Sequence, residues 1–135
     1  MDQSPDLKSL ADFFPIFSAD GFSCGEWHAP PPKDGVRQLP FFAYTGAVHS
    51  FIKAAYSGWM LPGFNWPDWF GSEEARLLVN DPLALDRASP EQLCKLLTAY
   101  IRGDRFTEGA LAQAFESGLM MRITKRASDI VAVTE

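Results

Sequence analysis

The chain has 135 residues, of which 47% are hydrophobic and 21% charged, and its formal net charge is −5 at pH 7. This length fits one globular domain with its own core, and the composition excludes a disordered chain. No apolar run reaches the roughly 18 residues of a membrane-spanning helix, and nucleic-acid binding through clustered Lys and Arg is disfavoured.

The first part of the chain predicts one helix and one small hairpin. Apolar residues at helical spacing indicate a helix over residues 5–14, which Pro15 should interrupt. Residues 22–44 contain two short extended segments on either side of a turn that begins with three prolines, Pro30–Pro32. We therefore expect an antiparallel β-hairpin in this region, with Pro40 keeping its second segment at an edge.

Residues 45–88 predict helices on either side of a loop rich in tryptophan and proline. Apolar residues recur at helical spacing over 47–57, and Gly58 is a natural end for that helix. The loop follows, and a second helix, with Ser72 as its cap, is expected over residues 73–80, before Asp81 and Pro82.

Residues 89–131 predict three helices joined by short links. Ser89, Pro90 and Gln92 form a capping box at the start of the clearest helix, which should run to residue 102. Further helices are expected over residues 106–117 and 119–131. The predicted fold is therefore a mainly α single compact domain over residues 1–135, with five to six helices and a short antiparallel β-hairpin.

The tryptophan-rich loop allows two interpretations. Three of the four tryptophans, Trp59, Trp66 and Trp69, lie within eleven residues, and residues 41–70 hold ten of the eighteen aromatic residues. These rings could close the core, or they could form a rigid recognition surface of the kind found at interfaces. We favour a mostly buried loop in which Trp66 and Trp69, beside Asp68, remain available to a partner.

The densest polar group is formed by Asp104, Arg105 and Glu108, at a predicted helix junction. An arginine between carboxylates could hold an anionic ligand, or Glu108 could serve as a base tuned by its neighbours. The alternative is helix capping, in which Asp104 or Thr107 accepts hydrogen bonds from free backbone N–H groups and Arg105 pairs with a carboxylate. The Gly-Asp context favours capping, because a tight turn between helices needs such residues.

No residue pattern indicates catalysis or metal binding. The spacing of Cys24, His28, His49 and Cys94 matches no zinc-ligand pattern, and the two cysteines, 70 positions apart, indicate no disulfide framework. Nucleotide-binding, phosphate-binding and hydrolase motifs are absent from the sequence. We therefore predict no catalytic residue, no metal and no cofactor.

Several motifs together resemble a domain-of-unknown-function family of small bacterial and archaeal proteins. The main motif is Asp-Arg-Phe-Thr-Glu-Gly at residues 104–109, followed by Phe-Glu-Ser-Gly at residues 115–118. Shorter matches are Gly-Glu-Trp at 25–27, Pro-Phe-Phe-Ala-Tyr at 40–44 and Gly-Trp-Met-Leu-Pro at 58–62. The resemblance covers residues 22–127 and implies a fold unit without an established activity. The composition of residues 124–135 departs from the family's helix end, so the last helix should end early.

The function that the sequence favours is that of a small cytoplasmic protein-interaction module. The acidic residues are concentrated in residues 1–88, with 11 Asp and Glu against 6 Lys and Arg. We expect another protein as partner, bound through the aromatic loop and the acidic surface. The specific role that we expect is an inhibitor or accessory factor of a mobile element or defence system. The alternative is an enzyme or small-molecule-binding domain at Asp104, Arg105 and Glu108. No membrane partner is expected, because the N-terminus lacks a secretory signal and no segment could span a bilayer; the oligomeric state stays open.

Overall fold

The computed structural model describes residues 7–61, 63–107 and 109–134, and it is mainly helical with one two-stranded antiparallel sheet. This confirms the predicted fold class, although there are more helices than the five to six expected, and the additional ones are four or five residues long. In chain order the elements are α1 (Leu7–Ala11), α2 (Phe14–Phe17), β1 (Gly25–His28), β2 (Phe41–Tyr44), α3 (Gly46–Gly58), α4 (Trp66–Phe70), α5 (Glu73–Asn80), α6 (Pro82–Asp86), α7 (Pro90–Gly103), α8 (Ala110–Glu116) and α9 (Leu119–Thr134).

The helix predicted over residues 5–14 is wrong in its bounds. Residues 5 and 6 lie outside the described residues, and the remainder divides into α1 and α2. Pro15 occupies the first turn of α2, where a helix makes no use of the backbone N–H that proline lacks. The proline therefore starts a second helix here, whereas the sequence pattern indicated only an interruption.

The tryptophan-rich loop also contains a helix that was not predicted, α4. The side chain of Asn65 accepts a hydrogen bond from the backbone N–H of Asp68, and Pro67 lies in the first turn. The Asp81-Pro82 pair behaves in the same way: it ends α5, and the Asp81 side chain then caps α6 at the N–H of Leu83. In both places a proline that predicted a loop sits at a helix start.

The C-terminal helices follow the prediction with two corrections. The capping box at Ser89 and Gln92 is formed as expected, and α7 runs from Pro90 to Gly103. Helix α8 begins at Ala110, four residues later than predicted, because the chain turns through Gly109 with φ at +93°. Helix α9 extends to Thr134 and so does not end early. No helix in the described part of the chain combines the length and apolar character needed to cross a bilayer.

The predicted hairpin is confirmed. The strands pair with Gly25 opposite Tyr44 and Trp27 opposite Phe42. Phe42 is buried, so this face of the sheet packs on the helices, while the long proline-containing connection is mostly exposed. The hairpin therefore presents Tyr44 and Trp27 toward the helical part of the domain.

The core lies between the hairpin and the helices and includes side chains from both halves of the chain. Helix α1 packs along α9, which joins the two ends of the described chain. Trp59 is only 1% exposed, and its indole Nε1 donates to Ser9 Oγ at 3.0 Å. The first tryptophan of the aromatic segment is therefore a core residue, as the favoured interpretation of that segment expected. Other large side chains that are fully buried in the core include Leu10, Phe51, Leu93, Leu97, Met120 and Ile123.

Candidate functional site

The connection between α7 and α8, residues 104–109, is held by the carboxylate of Asp104. Its Oδ1 accepts hydrogen bonds from the backbone N–H groups of Gly109 and Leu111, both at 3.1 Å. It also accepts one from the Tyr44 hydroxyl at 2.9 Å. The capping interpretation is therefore confirmed for Asp104, which satisfies free N–H groups at the start of α8 and ties them to β2.

The electrostatics of Tyr44 follow from that arrangement. Burial of the phenol raises the pKa of Tyr44 above its ordinary value, and the hydrogen bond to the Asp104 carboxylate raises it further. The hydroxyl therefore keeps its proton and acts as a donor throughout the physiological pH range.

A second contact from the hairpin reaches the far end of the same connection. A Cβ placed on Gly109 would lie 2.8 Å from the Cζ2 atom of Trp27, so the indole occupies the space that any side chain would need. The positive φ of Gly109 excludes other residues on conformational grounds as well. The hairpin thus fixes both ends of the connection, and Arg105 and Phe106 lie on its solvent side.

Opposite this connection lies Trp66 of α4, and together they form a groove of about 480 Å³ lined by Trp66, Arg102, Arg105 and Phe106. We call these four residues the Trp66 groove. The Trp66 ring lies over Gly103, at 3.6 Å from the position of a Cβ on that glycine. Its centroid is 6.1 Å from that of Phe106, with 35° between the ring planes. Phe106 is 81% exposed.

The two arginines of the groove have unused hydrogen-bonding capacity. Arg102 Nε is buried without any hydrogen-bond partner. Within the described ranges no carboxylate lies within 4.0 Å of either guanidinium, whereas Lys95 and Lys125 do pair with carboxylates. A buried donor without a partner costs about 1–3 kcal/mol. Arg102 at the end of α7 also faces the negative pole of that helix, which explains a cation there but does not supply an acceptor to Nε.

The other predicted binding residues lie elsewhere or are used locally. Trp69 Nε1 donates to Glu74, and this hydrogen bond is the main reason why the pKa of Glu74 is lowered. Lys95 lies 5.9 Å from the Trp69 ring centroid and 3.6 Å from the Glu74 carboxylate. Asp68 accepts from Asn65 Nδ2 at 2.9 Å, at the start of α4. Glu108 lies outside the described residues.

The cysteines have the character of core thiols. Both are free and buried, and burial raises the pKa of Cys94 to about 12. The pKa of Cys24 is also raised, first by burial and then by the charge of Glu116. Thiols in such surroundings are poor nucleophiles because the thiolate is disfavoured. Across the described residues, no three His, Cys, Asp or Glu side chains come together in a way that could hold a metal ion.

The structure thus brings together Trp66 and Arg105, two of the six predicted binding residues, and adds Arg102 and Phe106, which the sequence interpretation did not single out. Arg102 was counted as the end of a helix and Phe106 as the start of the next one. The available signal was the run Arg-Gly-Asp-Arg-Phe at residues 102–106, in which an aromatic residue follows two arginines in a polar turn. Aromatic residues in such turns lack an amphipathic helix face on which to be buried.

Comparison with known proteins gives a family without a known activity. The sequence model of a family of unknown function, DUF6508, matches residues 3–133. No curated protein and no solved structure is significantly similar to the chain. The chain therefore belongs to this family of unknown function, which confirms the resemblance and extends it from residues 22–127 to nearly the whole sequence.

Proposed function

We propose that this member of a family without known activity is a protein-interaction module, and that the Trp66 groove is its recognition surface. The observation that carries the proposal is the combination of an exposed aromatic ring, Phe106, with two arginines that pair with no described carboxylate. Aromatic and arginine side chains are the residue types that contribute most to protein interfaces. Their convergence from α4 and from the α7–α8 connection creates a concave surface that neither segment has alone.

The position of the groove suits recognition by a rigid surface. Asp104 and Gly109 anchor the connection to the hairpin, and the Trp66 ring rests on Gly103. An interface that is already in its bound form loses less conformational entropy when a partner binds. The acidic surface of the first 88 residues would then steer the orientation of the partner, while the groove supplies the specific contacts.

Two expectations from the sequence remain predictions, one within this proposal and one opposed to it. One is a role as an inhibitor or accessory factor of a mobile element or defence system, in the cytoplasm. The other is the alternative function, an enzyme or small-molecule-binding domain at Asp104, Arg105 and Glu108. The three hydrogen bonds that Asp104 Oδ1 accepts from within the fold support a structural use of this carboxylate, and to that extent they favour the interaction module over the alternative.

The test is site-specific photo-crosslinking in native lysate. The photoreactive amino acid benzoylphenylalanine replaces Phe106 in one variant and, as a matched control, Tyr56 in another; Tyr56 is 51% exposed on α3. We expect a discrete crosslinked protein from position 106 and not from position 56. An added Arg105→Ala substitution should remove that product, whereas Arg87→Ala, which removes an exposed arginine outside the groove, should retain it.

Two results would contradict the proposal. The first is the absence of a product from position 106, or the same products from both positions. The second is a product that persists with Arg105→Ala. Unfolding curves of all variants, measured by circular dichroism, would verify that the substitutions leave the fold intact.

A further inference from the structure

We infer that the occupant of the Trp66 groove is an acidic segment of the partner protein, one that carries an aromatic or proline side chain next to its carboxylates. This inference rests on the proposed function and specifies the chemistry of the partner. It is drawn from the charge of the groove, from the unpartnered Arg102 Nε, and from the geometry of the two rings.

The charge of the groove selects for carboxylates. Arg102 and Arg105 lie along its wall, and neither guanidinium has a described carboxylate within 4.0 Å. The fork of a guanidinium matches the two oxygens of a carboxylate, and the Nε of Arg102, which is buried, has no hydrogen-bond acceptor among the described residues. An incoming Asp or Glu would therefore supply the acceptor that the protein itself does not provide.

The rings select for an apolar side chain beside that carboxylate. Phe106 is exposed over 81% of its surface, which water covers in the absence of a partner. Trp66 forms the floor next to it, and its indole N–H has no partner among the described residues. A proline or aromatic ring on the exposed face of Phe106 would remove this surface from water, while the indole N–H remains free to donate to a peptide carbonyl.

The spacing of the two rings argues against a nucleotide base held between them. A flat ring inserted between two others needs a separation of about 7–8 Å and parallel planes, because each contact layer occupies about 3.5–4 Å. The observed centroid distance is 6.1 Å and the planes are tilted by 35°.

The test uses nuclear magnetic resonance titration of the full chain with a blocked synthetic peptide, Glu-Asp-Phe-Pro-Glu-Asp. Two matched peptides serve as controls: Gln-Asn-Phe-Pro-Gln-Asn, which lacks the charges, and Glu-Asp-Ala-Ala-Glu-Asp, which lacks the rings. We expect saturable shifts at the Trp66 indole N–H and the Arg102 Nε–H with the first peptide. Each control peptide should bind at least about tenfold more weakly, which corresponds to the loss of one charge-assisted hydrogen bond or one buried ring.

A conservative substitution tests the role of Arg102. Arg102→Lys keeps the positive charge but removes the Nε donor and the fork, so binding of the first peptide should weaken by about tenfold. Arg87→Lys is the matched control and should leave binding unchanged. Equal affinities of the charged and uncharged peptides for the wild-type chain would overturn the inference without relying on any variant.

Other outcomes separate this inference from the proposed function. If adenosine monophosphate or a short oligothymidylate shifts the same resonances and binds with higher affinity than the acidic peptide, the groove binds nucleotides and the inference is overturned. If no peptide binds but the crosslink from position 106 persists and depends on Arg105, the inference is wrong while the interaction module stands. If both the peptide and the crosslink fail, the proposed function is wrong as well.

Discussion

Replacement of Asp104 gives the sharpest test of how the candidate site is built. The Asp104→Ala substitution removes three hydrogen bonds at once and leaves the N–H groups of Gly109 and Leu111 and the Tyr44 hydroxyl without their acceptor. A hydrogen bond to a charged group contributes about 1.5–3 kcal/mol, and the half-buried position allows water to replace part of that. The expected loss is about 2–4 kcal/mol in the free energy of unfolding, a substantial fraction of the roughly 5–15 kcal/mol typical of a domain.

The assay is urea unfolding followed by circular dichroism, with thermal unfolding in parallel. For a chain of this size the melting temperature should fall by about 3–5 °C for each kcal/mol lost. Asp104→Asn keeps one acceptor oxygen and should cost about 1 kcal/mol. Asp86→Ala removes an exposed carboxylate on α6 and is the matched control, with an effect within about 0.5 kcal/mol.

A double-mutant cycle with Tyr44→Phe tests the link between the sheet and the helices. The hydroxyl of Tyr44 and the carboxylate of Asp104 are in direct contact, so the two substitutions should be non-additive by about 0.5–1.5 kcal/mol. The reasoning is refuted if Asp104→Ala costs no more than the Asp86→Ala control. It is equally refuted if the coupling with Tyr44 is zero, since the carboxylate then would not hold the hairpin.

Three further predictions concern Gly109, the two cysteines and Tyr44. Gly109→Ala should destabilise the chain by about 2–4 kcal/mol in urea unfolding, because φ is +93° and the new Cβ would overlap the indole packed above it; an effect below 1 kcal/mol would contradict this. Cys94 should react with a thiol reagent only as fast as the chain unfolds, and Cys24, which is 6% exposed, should react sooner; rapid labelling of both under native conditions would disprove their burial. The raised pKa of Tyr44 means that its contribution to stability is fully present below the ordinary tyrosine pKa of about 10 and decreases as the pH rises above it. Tyr44→Phe should therefore reduce the decline in stability above pH 10 without abolishing it, because burial also raises the pKa values of Tyr100, Cys94 and Cys24; an unchanged pH profile would show that Tyr44 is not responsible.

The helix starts could be predicted from the sequence wherever a local signal specified them. The capping box at Ser89 and Gln92, and the cap at Ser72, depend on side chains within three residues of the atoms they bind, so the sequence alone was sufficient. The start of α8 at Ala110 could not be predicted in this way. Its N–H groups are satisfied by Asp104, which lies five to seven residues earlier in the chain, across a turn.

Prolines show most clearly where a local sequence pattern fails to predict the structure. Pro15, Pro67 and Pro82 each indicated a break, and each lies in the first turn of a short helix. A proline is compatible with both a loop and a helix start, because the missing N–H is not needed in either. Only the packing of the following residues decides between the two.

The sequence by itself determined the mainly α class, the hairpin, most of the longer helices and the family of unknown function to which the chain belongs. These follow from patterns that repeat within a few residues or from motifs in a fixed order. The tertiary structure alone decided that Trp66 and Phe106, forty positions apart, form one groove with Arg102 and Arg105. It also decided that Trp69 donates its indole N–H to Glu74. The physical reason is that a groove depends on which segments pack side by side, and that choice is made by burial of the whole core rather than by any local run of residues.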